Sequence, residues 1–222
     1  MSSNVCVLFD LDDTLFAEKD YFRSVFESFT QEIGLGAEIV ENYLDEFSEV
    51  RRNIKDIFSH FLHNQKIYTE ENHQHLFDIY RGVTTQLSPH DGVNTLISEL
   101  VESDVKVAVL TNGVPRAQKN KWASLQITGK EKITFHASRD LGGDKPSTAT
   151  YEGWRTAHEV EWAQVVAVGD KYDNDVAYPL HMGACGVLVQ PLKQDFQQNI
   201  RFRQAQDFLA AAEHIRSFAK RV

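Results

Sequence analysis

The sequence has little of what stabilises secreted or membrane proteins. Its 222 residues include only two cysteines, and both Cys6 and Cys185 lie in apolar, strand-like runs. A cysteine in such a run is most often a small buried hydrophobe, so we expect neither a disulfide nor a cysteine-rich metal site. No apolar stretch approaches the length of a membrane span, and the run at residues 5–9 is too short for a secretory signal. These absences predict a cytoplasmic protein.

Basic charge is also in short supply. There are 23 lysines and arginines against 32 aspartates and glutamates, which gives a formal net charge of −9. This balance argues against a nucleic acid or an anionic membrane bound through a broad basic surface, although it permits a small anionic ligand. The nine histidines are scattered without ligand spacing, so a zinc site is not expected.

Short apolar runs alternate with helical patterns over most of the chain. The first run, residues 5–9, is typical of a strand buried on both faces. Because strands separated by helices form parallel βαβ units, the pattern predicts an α/β fold with a doubly wound parallel sheet. The other predicted strands are 105–110, 133–137, 165–168 and 186–189, and the predicted helices are 93–101, 115–125, 148–159, 174–182 and 204–220.

Residues 16–87 interrupt this alternation. They carry apolar residues at helical spacing, with a helix start at Thr69, and they show no strand signal. The sequence therefore predicts a core of residues 1–15 and 88–222 with a helical module, residues 16–87, inserted after the first strand.

Two acids follow the first strand directly. Because side chains alternate along an extended chain, Asp10 and Asp12 leave the strand on the same side. Two carboxylates that share one small site are costly unless a cation lies between them or one of them holds a proton. The pair indicates a hard divalent metal, an acid/base role for one carboxylate, or both.

Further polar groups follow the later strands, where ligands bind in open parallel sheets. Thr111 and Asn112 offer a hydroxyl and backbone N–H groups ahead of a helix, which is a plausible cradle for an anion. Lys145 stands at another helix start, but lysines are common on protein surfaces, so this residue alone does not indicate a site. Asp170 and Asp175 follow the fourth strand, and together with Asp10 and Asp12 they supply an all-oxygen set suited to Mg²⁺.

These four pieces, in this order, resemble the haloacid dehalogenase-like superfamily of phosphohydrolases, in the branch with a helical cap. The first motif of that superfamily, D-x-D-x-T, is matched from Asp10 to Thr14, and the second, a strand that ends in Ser or Thr, by Thr111. The third, a Lys, is matched by Lys145, and the fourth by Gly169-Asp170 with Asp175. The resemblance implies a Rossmann-like core with an inserted α-helical cap.

The resemblance also implies roles for the matched residues. Asp10 is expected to be the nucleophile that forms an aspartyl-phosphate, and Asp12 the general acid/base. Thr111 and the backbone of Asn112 would hold the phosphoryl oxygens, while Lys145 neutralises charge on the nucleophile and the phosphate. Mg²⁺ would be bound by the carboxylates of Asp10 and Asp170 and the carbonyl of Asp12, and Asp175 would orient Lys145 or a metal-bound water.

The expected activity is Mg²⁺-dependent hydrolysis of a small phosphomonoester, a nucleoside monophosphate or a sugar phosphate. Relatives that displace halide usually lack an acid two residues after the nucleophile, so Asp12 favours phosphate chemistry. One departure is Thr148, which stands where relatives often have a second Pro in the third motif. The cap residues expected near the entrance are Lys19, Tyr21, Arg23, Arg51, Arg52 and Lys55.

Two other interpretations stay open. A sugar phosphomutase would pass the phosphoryl group from the aspartyl-phosphate to a sugar instead of to water. A non-catalytic phospho-binding or signalling protein would also use acids, a Thr and a Lys on a parallel sheet. The oligomeric state is not readable from the sequence.

Overall fold

The computed structural model describes residues 5–190 and 196–221, without the side chain of Arg52. Its centre is a six-stranded sheet in which every neighbouring pair of strands is parallel. The apolar runs form these strands because both of their faces are covered. The strands are β1 Cys6–Phe9, β2 Lys106–Thr111, β3 Ile133–Ala137, β4 Val165–Gly169, β5 Cys185–Val189 and β6 Phe202–Ala205.

The strand order is β3-β2-β1-β4-β5-β6, so β1 lies in the middle of the sheet. Phe9, the last residue of β1, is in register with Val109 of β2 and Val168 of β4. From β1 the chain first adds β2 and β3 on one side, and it then returns to add β4, β5 and β6 on the other side. Such a reversal leaves a crevice at the carboxyl ends of the strands, where ligands bind in sheets of this kind.

Helices cover both faces of the sheet, and the two larger apolar clusters of the described residues include the side chains of β1. One cluster contains Val7 and Phe9 of β1, and the other contains Cys6 and Leu8, as the alternation of side chains requires. The predicted doubly wound α/β fold is thereby confirmed. The helices of this part are α6 Val93–Glu102, α7 Pro115–Ser124, α8 Thr148–His158, α9 Ala177–His181 and α10 Phe208–Ala219.

Between β1 and α6 the described structure is helical, as the sequence predicts. Aromatic side chains hold this insertion together, for example Phe26 and Phe61, whose ring centroids are 4.4 Å apart. The predicted helix start is confirmed, because the Thr69 hydroxyl accepts a hydrogen bond from the backbone N–H of Asn72 at 3.0 Å. The helices are α1 Glu18–Glu32, α2 Glu38–Asp45, α3 Phe47–Asn53, α4 Ile57–Asn64 and α5 Glu70–Tyr80.

Two predicted elements differ from the structure. The predicted helix 204–220 begins only at Phe208, because Gln204 and Ala205 belong to β6 at the edge of the sheet. This strand was not predicted, because it is only four residues long and its two middle residues, Arg203 and Gln204, are polar, so it has neither an apolar run nor an alternating pattern. The predicted helix 174–182 begins as a π-helical turn at Tyr172–Val176 and becomes α-helical at Ala177.

The cysteines and the apolar character of the helices also bear on the fold. Cys6 and Cys185 are both free thiols, and both are buried, as their apolar surroundings predict. Within the described ranges, no helix combines the length and apolar character needed to cross a membrane.

Candidate active site

The candidate site lies at the carboxyl ends of the three central strands. Asp10 follows β1, Thr111 ends β2, and Asp170 follows β4. Since β2, β1 and β4 are neighbours in a parallel sheet, their ends place these three side chains on the same edge. The local sequence explains the abrupt change from apolar to polar character, because each strand stops where its apolar run stops.

Lys145 reaches this edge from the loop after β3 and joins two of the acids. Its Nζ donates hydrogen bonds to Oδ1 of Asp10 at 2.7 Å, to Oδ1 of Asp175 at 2.7 Å and to the carbonyl oxygen of Leu110 at 2.6 Å. The side chain is only 3% exposed. Burial alone would lower the pKa of Lys145, but Asp10 and Asp175 outweigh it and hold the pKa above its usual value. Lys145 is therefore a buried ammonium group that needs its carboxylate partners.

Asn112 fixes the loop that carries Lys145. The backbone N–H of Lys145 donates to Oδ1 of Asn112 at 2.7 Å, and Nδ2 of Asn112 donates back to the carbonyl oxygen of Lys145 at 2.9 Å. The side chain of Asn112 thus ties the second motif to the third. The phosphoryl contact expected for the backbone of Asn112 stays a prediction, and the neighbouring Thr111 is 1% exposed.

Three carboxylates converge beside Lys145. One oxygen each of Asp10, Asp170 and Asp175 lies within 4.8 Å of the others. Within the described part of the chain, Oδ1 of Asp170 is buried without a hydrogen-bond partner. Burial raises the pKa of Asp170 to about 8, against the opposing effect of Lys171. An unpartnered carboxylate oxygen among other acids is what a hard divalent cation would satisfy, so the residues present fit Mg²⁺.

The two oxygens of Asp175 are both engaged by the protein itself. One accepts from Lys145, and the other accepts from the backbone N–H of Lys171 at 2.9 Å. These contacts favour the orienting role predicted for Asp175 over direct coordination of a metal.

The carboxylate of Asp12 points to different partners. Oδ2 accepts from Nε2 of Gln118 at 2.8 Å, and Nζ of Lys121 lies 2.8 Å from Oδ1 and 2.9 Å from Oδ2. The side chain of Asp12 is therefore outside the three-carboxylate cluster. Its predicted contribution to metal binding, through the backbone carbonyl, stays a prediction. Burial, the largest effect, raises the pKa of Asp12 although Lys121 opposes it.

A glycine makes room for this arrangement. Gly113 has φ +126°, and a Cβ built there would lie 2.7 Å from Nε2 of Gln118. A side chain at position 113 would displace the amide that binds Asp12. The firmer reason for a glycine at position 113 is its positive φ, at which any other side chain would be strained.

The helical insertion covers the site. A cavity of about 100 Å³ is lined by the four aspartates, Thr111, Asn112, Gln118 and Lys145 and, from the insertion, by Glu18, Arg51 and Tyr80. Arg51 was expected near the entrance and does line the cavity, with Nε donating to Oε2 of Glu18 at 2.8 Å. Tyr21 is instead fully buried. The other candidates with described side chains, Lys19, Arg23 and Lys55, are not among the lining residues, and the side chain of Arg52 lies outside the described part.

Three residues of the site were not predicted from the sequence: Gln118, Lys121 and Glu18. Gln118 and Lys121 are three residues apart on α7, so both lie on the same face of that helix. Both are buried, and this spacing directly after the second motif is the one local signal that was available. No sequence pattern pointed to Glu18 as a site residue, because an acid in the first turn of a helix is common.

The acid cluster predicts a measurable effect of Mg²⁺ on stability. Mg²⁺ at about 100 times its Kd adds about 2.7 kcal/mol to the free energy of unfolding, equivalent to about 5–10 °C in Tm for a chain of this size. We expect Asp170→Asn to lose most of this shift in a thermal unfolding experiment. The matched control Asp173→Asn, an exposed acid of the same segment, keeps it. Equal shifts for both variants would place the ion elsewhere.

Comparison with known proteins agrees with this geometry. A family model described as haloacid dehalogenase-like hydrolase matches residues 7–185. No curated protein matches the sequence. Among solved structures, YfnB of Bacillus subtilis, described as a HAD-hydrolase bound to magnesium, has a TM-score of 0.70 and 17% identity over 97% of this chain and 98% of that one.

Other similar structures differ in the activity that they are named for. A defluorinating L-2-haloacid dehalogenase has a TM-score of 0.63 and 13% identity over 96% of this chain and 95% of its own. A HAD phosphatase from Thermococcus onnurineus has a TM-score of 0.56 and 16% identity over 95% of this chain and 97% of its own. At such identities the likeness establishes the fold, and the choice between the two activities depends on the site.

Proposed function

Because the chain belongs to the haloacid dehalogenase-like hydrolase family, we propose that this hydrolase is a Mg²⁺-dependent phosphatase of small phosphomonoesters. The observation that carries the proposal is the pair of buried carboxylates after β1. Asp10 lies against Lys145 in the acid cluster, and Asp12 lines the same cavity outside that cluster. A nucleophile and a separate acid are what an alcohol leaving group requires, whereas halide needs no proton.

Residues of this chain supply each part of the reaction. The Asp10 carboxylate attacks phosphorus, the bond from phosphorus to the ester oxygen breaks, and Asp12 gives its proton to the departing alcohol. In the second step Asp12 takes a proton from water, whose oxygen attacks phosphorus and releases inorganic phosphate from Asp10. Lys145 contacts Asp10 and would also oppose the negative charge of a bound phosphoryl group.

The ion that we propose is Mg²⁺, held by the carboxylates of Asp10 and Asp170 and the carbonyl of Asp12. When bound, it would neutralise charge on the phosphoryl oxygens. Thr111 and the backbone of Asn112 would bind the remaining phosphoryl oxygens. Both residues line the cavity, as does Gly113.

The substrates that we propose are nucleoside monophosphates or sugar phosphates. The cavity of about 100 Å³ is closed on one side by the insertion and carries the guanidinium of Arg51 at its wall. Such a covered site favours a small phosphorylated metabolite over a phosphoprotein, because the insertion lies between the acids and a folded partner.

The test is phosphate release from a panel of nucleoside monophosphates, sugar phosphates and small phospho-acids, with Mg²⁺ or with chelator. We expect one subset to be hydrolysed only when Mg²⁺ is present, and we expect no halide release from L-2-haloacids assayed in parallel. Halide release without phosphate release would overturn the proposal in favour of a dehalogenase. Isomerisation of a sugar phosphate without net hydrolysis would favour the mutase.

A further inference from the structure

Lys121 is a buried cation that the proposed chemistry leaves unused. It lies on α7, its side chain is 0% exposed, and its Nζ contacts both oxygens of Asp12. Removing an ammonium group from water costs several kcal/mol, and apolar residues of similar volume often replace buried ion pairs without loss of stability. Stability alone therefore does not explain a lysine at this position.

The other side of Lys121 is formed by the helical insertion. Glu18, at the start of α1, lies 3.2 Å from Nζ through Oε1. Three aromatic rings also face the ammonium group, with centroids at 5.2, 5.8 and 5.6 Å: Tyr21, Phe22 and Tyr80. The attraction between a cation and these rings adds to the ion pair and holds the ammonium group in one place. Lys121 is thus fixed from the insertion and presents its N–H groups to Asp12.

We propose that Lys121, assisted by Gln118, is a positioning residue that fixes the carboxylate of Asp12 for proton transfer. The inference rests on the proposed function, in which Asp12 first gives and then takes a proton. An aspartate side chain rotates freely unless its oxygens are bound, and Lys121 and Gln118 bind both of them. Each oxygen of a carboxyl group has more than one site for a hydrogen, so these contacts leave room for the transferred proton.

The experiment compares alkyl and aryl phosphates, because only the alkyl leaving group depends on protonation. Values of kcat/KM report the steps up to release of the alcohol. We expect Lys121→Met to lower kcat/KM for an alkyl phosphate by about 10²-fold and for p-nitrophenyl phosphate by less than about fivefold. Asp12→Asn should show the same split more strongly, and Gln118→Met should show it more weakly.

Lys130→Met is the matched control for a purely structural effect. Nζ of Lys130 donates to the carbonyl oxygen of Trp122 at 2.6 Å and lies 5.0 Å from the centroid of that ring. This lysine therefore stabilises the same helix, α7, without contact to Asp12. We expect its loss to lower Tm and to leave the ratio of the two kcat/KM values unchanged.

A fall of equal size for both substrates in Lys121→Met would overturn the inference while the phosphatase activity itself stands. If Lys121→Met does not fold, the same comparison is made with Gln118→Met, and an equal fall of kcat/KM for both substrates would again overturn the inference. If the wild type hydrolyses no ester, the proposed function fails, and crystal structures of wild type and Lys121→Met then decide the positioning role. A carboxylate of Asp12 that keeps its place in the variant would overturn it, and a displaced carboxylate would support it.

Discussion

We expect Asp10→Asn to abolish phosphate release from every ester, by about 10⁴-fold or more, while the protein stays folded. An amide oxygen is too weak a nucleophile to form the acyl-phosphate bond. The substitution keeps the shape of the side chain, and Lys145 keeps its hydrogen bonds to Asp175 and to the carbonyl oxygen of Leu110. It also removes one of three crowded acids, so we expect no loss of Tm in metal-free protein.

The measurement is phosphate release beside thermal unfolding, both for wild type and for the variant. Asp13→Asn is the matched control, because Asp13 belongs to the same motif but is exposed. Its Oδ1 accepts from the backbone N–H of Glu18 at 2.9 Å, and asparagine can accept in the same way. If Asp10→Asn and wild type release phosphate at equal rates, Asp10 is not the nucleophile.

The second large effect is expected for Lys145→Met, which should lose both activity and stability. Loss of the cation leaves the buried carboxylates of Asp10 and Asp175 without an opposite charge in contact, which costs about 3–5 kcal/mol of unfolding free energy. We expect activity to fall by about 10³-fold or more, because a donor beside the developing charge is lost. Denaturant unfolding in the presence of chelator measures the first effect, and phosphate release measures the second.

Two further variants separate the causes. Lys145→Met combined with Asp175→Asn removes one unpaired charge, so it should recover part of the stability and none of the activity. Lys171→Met is the matched control, since this lysine is 55% exposed and lies 3.4 Å from Oδ2 of Asp170. A pair whose lysine lies largely in solvent contributes about 0–1 kcal/mol. Recovery of activity in the double variant would contradict the role proposed for Lys145.

Much of the site follows from where the apolar runs end. The run of residues 5–9 fixes the end of β1, and Asp10 therefore stands at the centre of the sheet edge. Thr111 and Asp170 are placed in the same way by β2 and β4. These positions were predictable, because a strand buried on both faces requires an apolar run that stops where the strand stops.

The weaker predictions concern elements without such a run. The strand β6 is short and lies at the edge of the sheet, and two of its four residues, Arg203 and Gln204, are polar. Its residues resemble a helix start as much as a strand, and tertiary pairing with β5 decides between them. The limits of the helical insertion, residues 16–87, stay a prediction.

The sequence by itself determined the sheet, the order of its motifs and the acids at its edge, because local periodicity records which segments are buried. No local pattern singles out the lysines that matter: Lys145 was expected only through the family resemblance, and Lys121 became evident only in the tertiary structure. Lys145 meets Asp10 across 135 positions of sequence, and Lys121 meets Asp12 across 109. A lysine on a helix gives the same local signal whether solvent or a carboxylate lies opposite it. Its burial depends on how separate elements pack, which no local pattern contains.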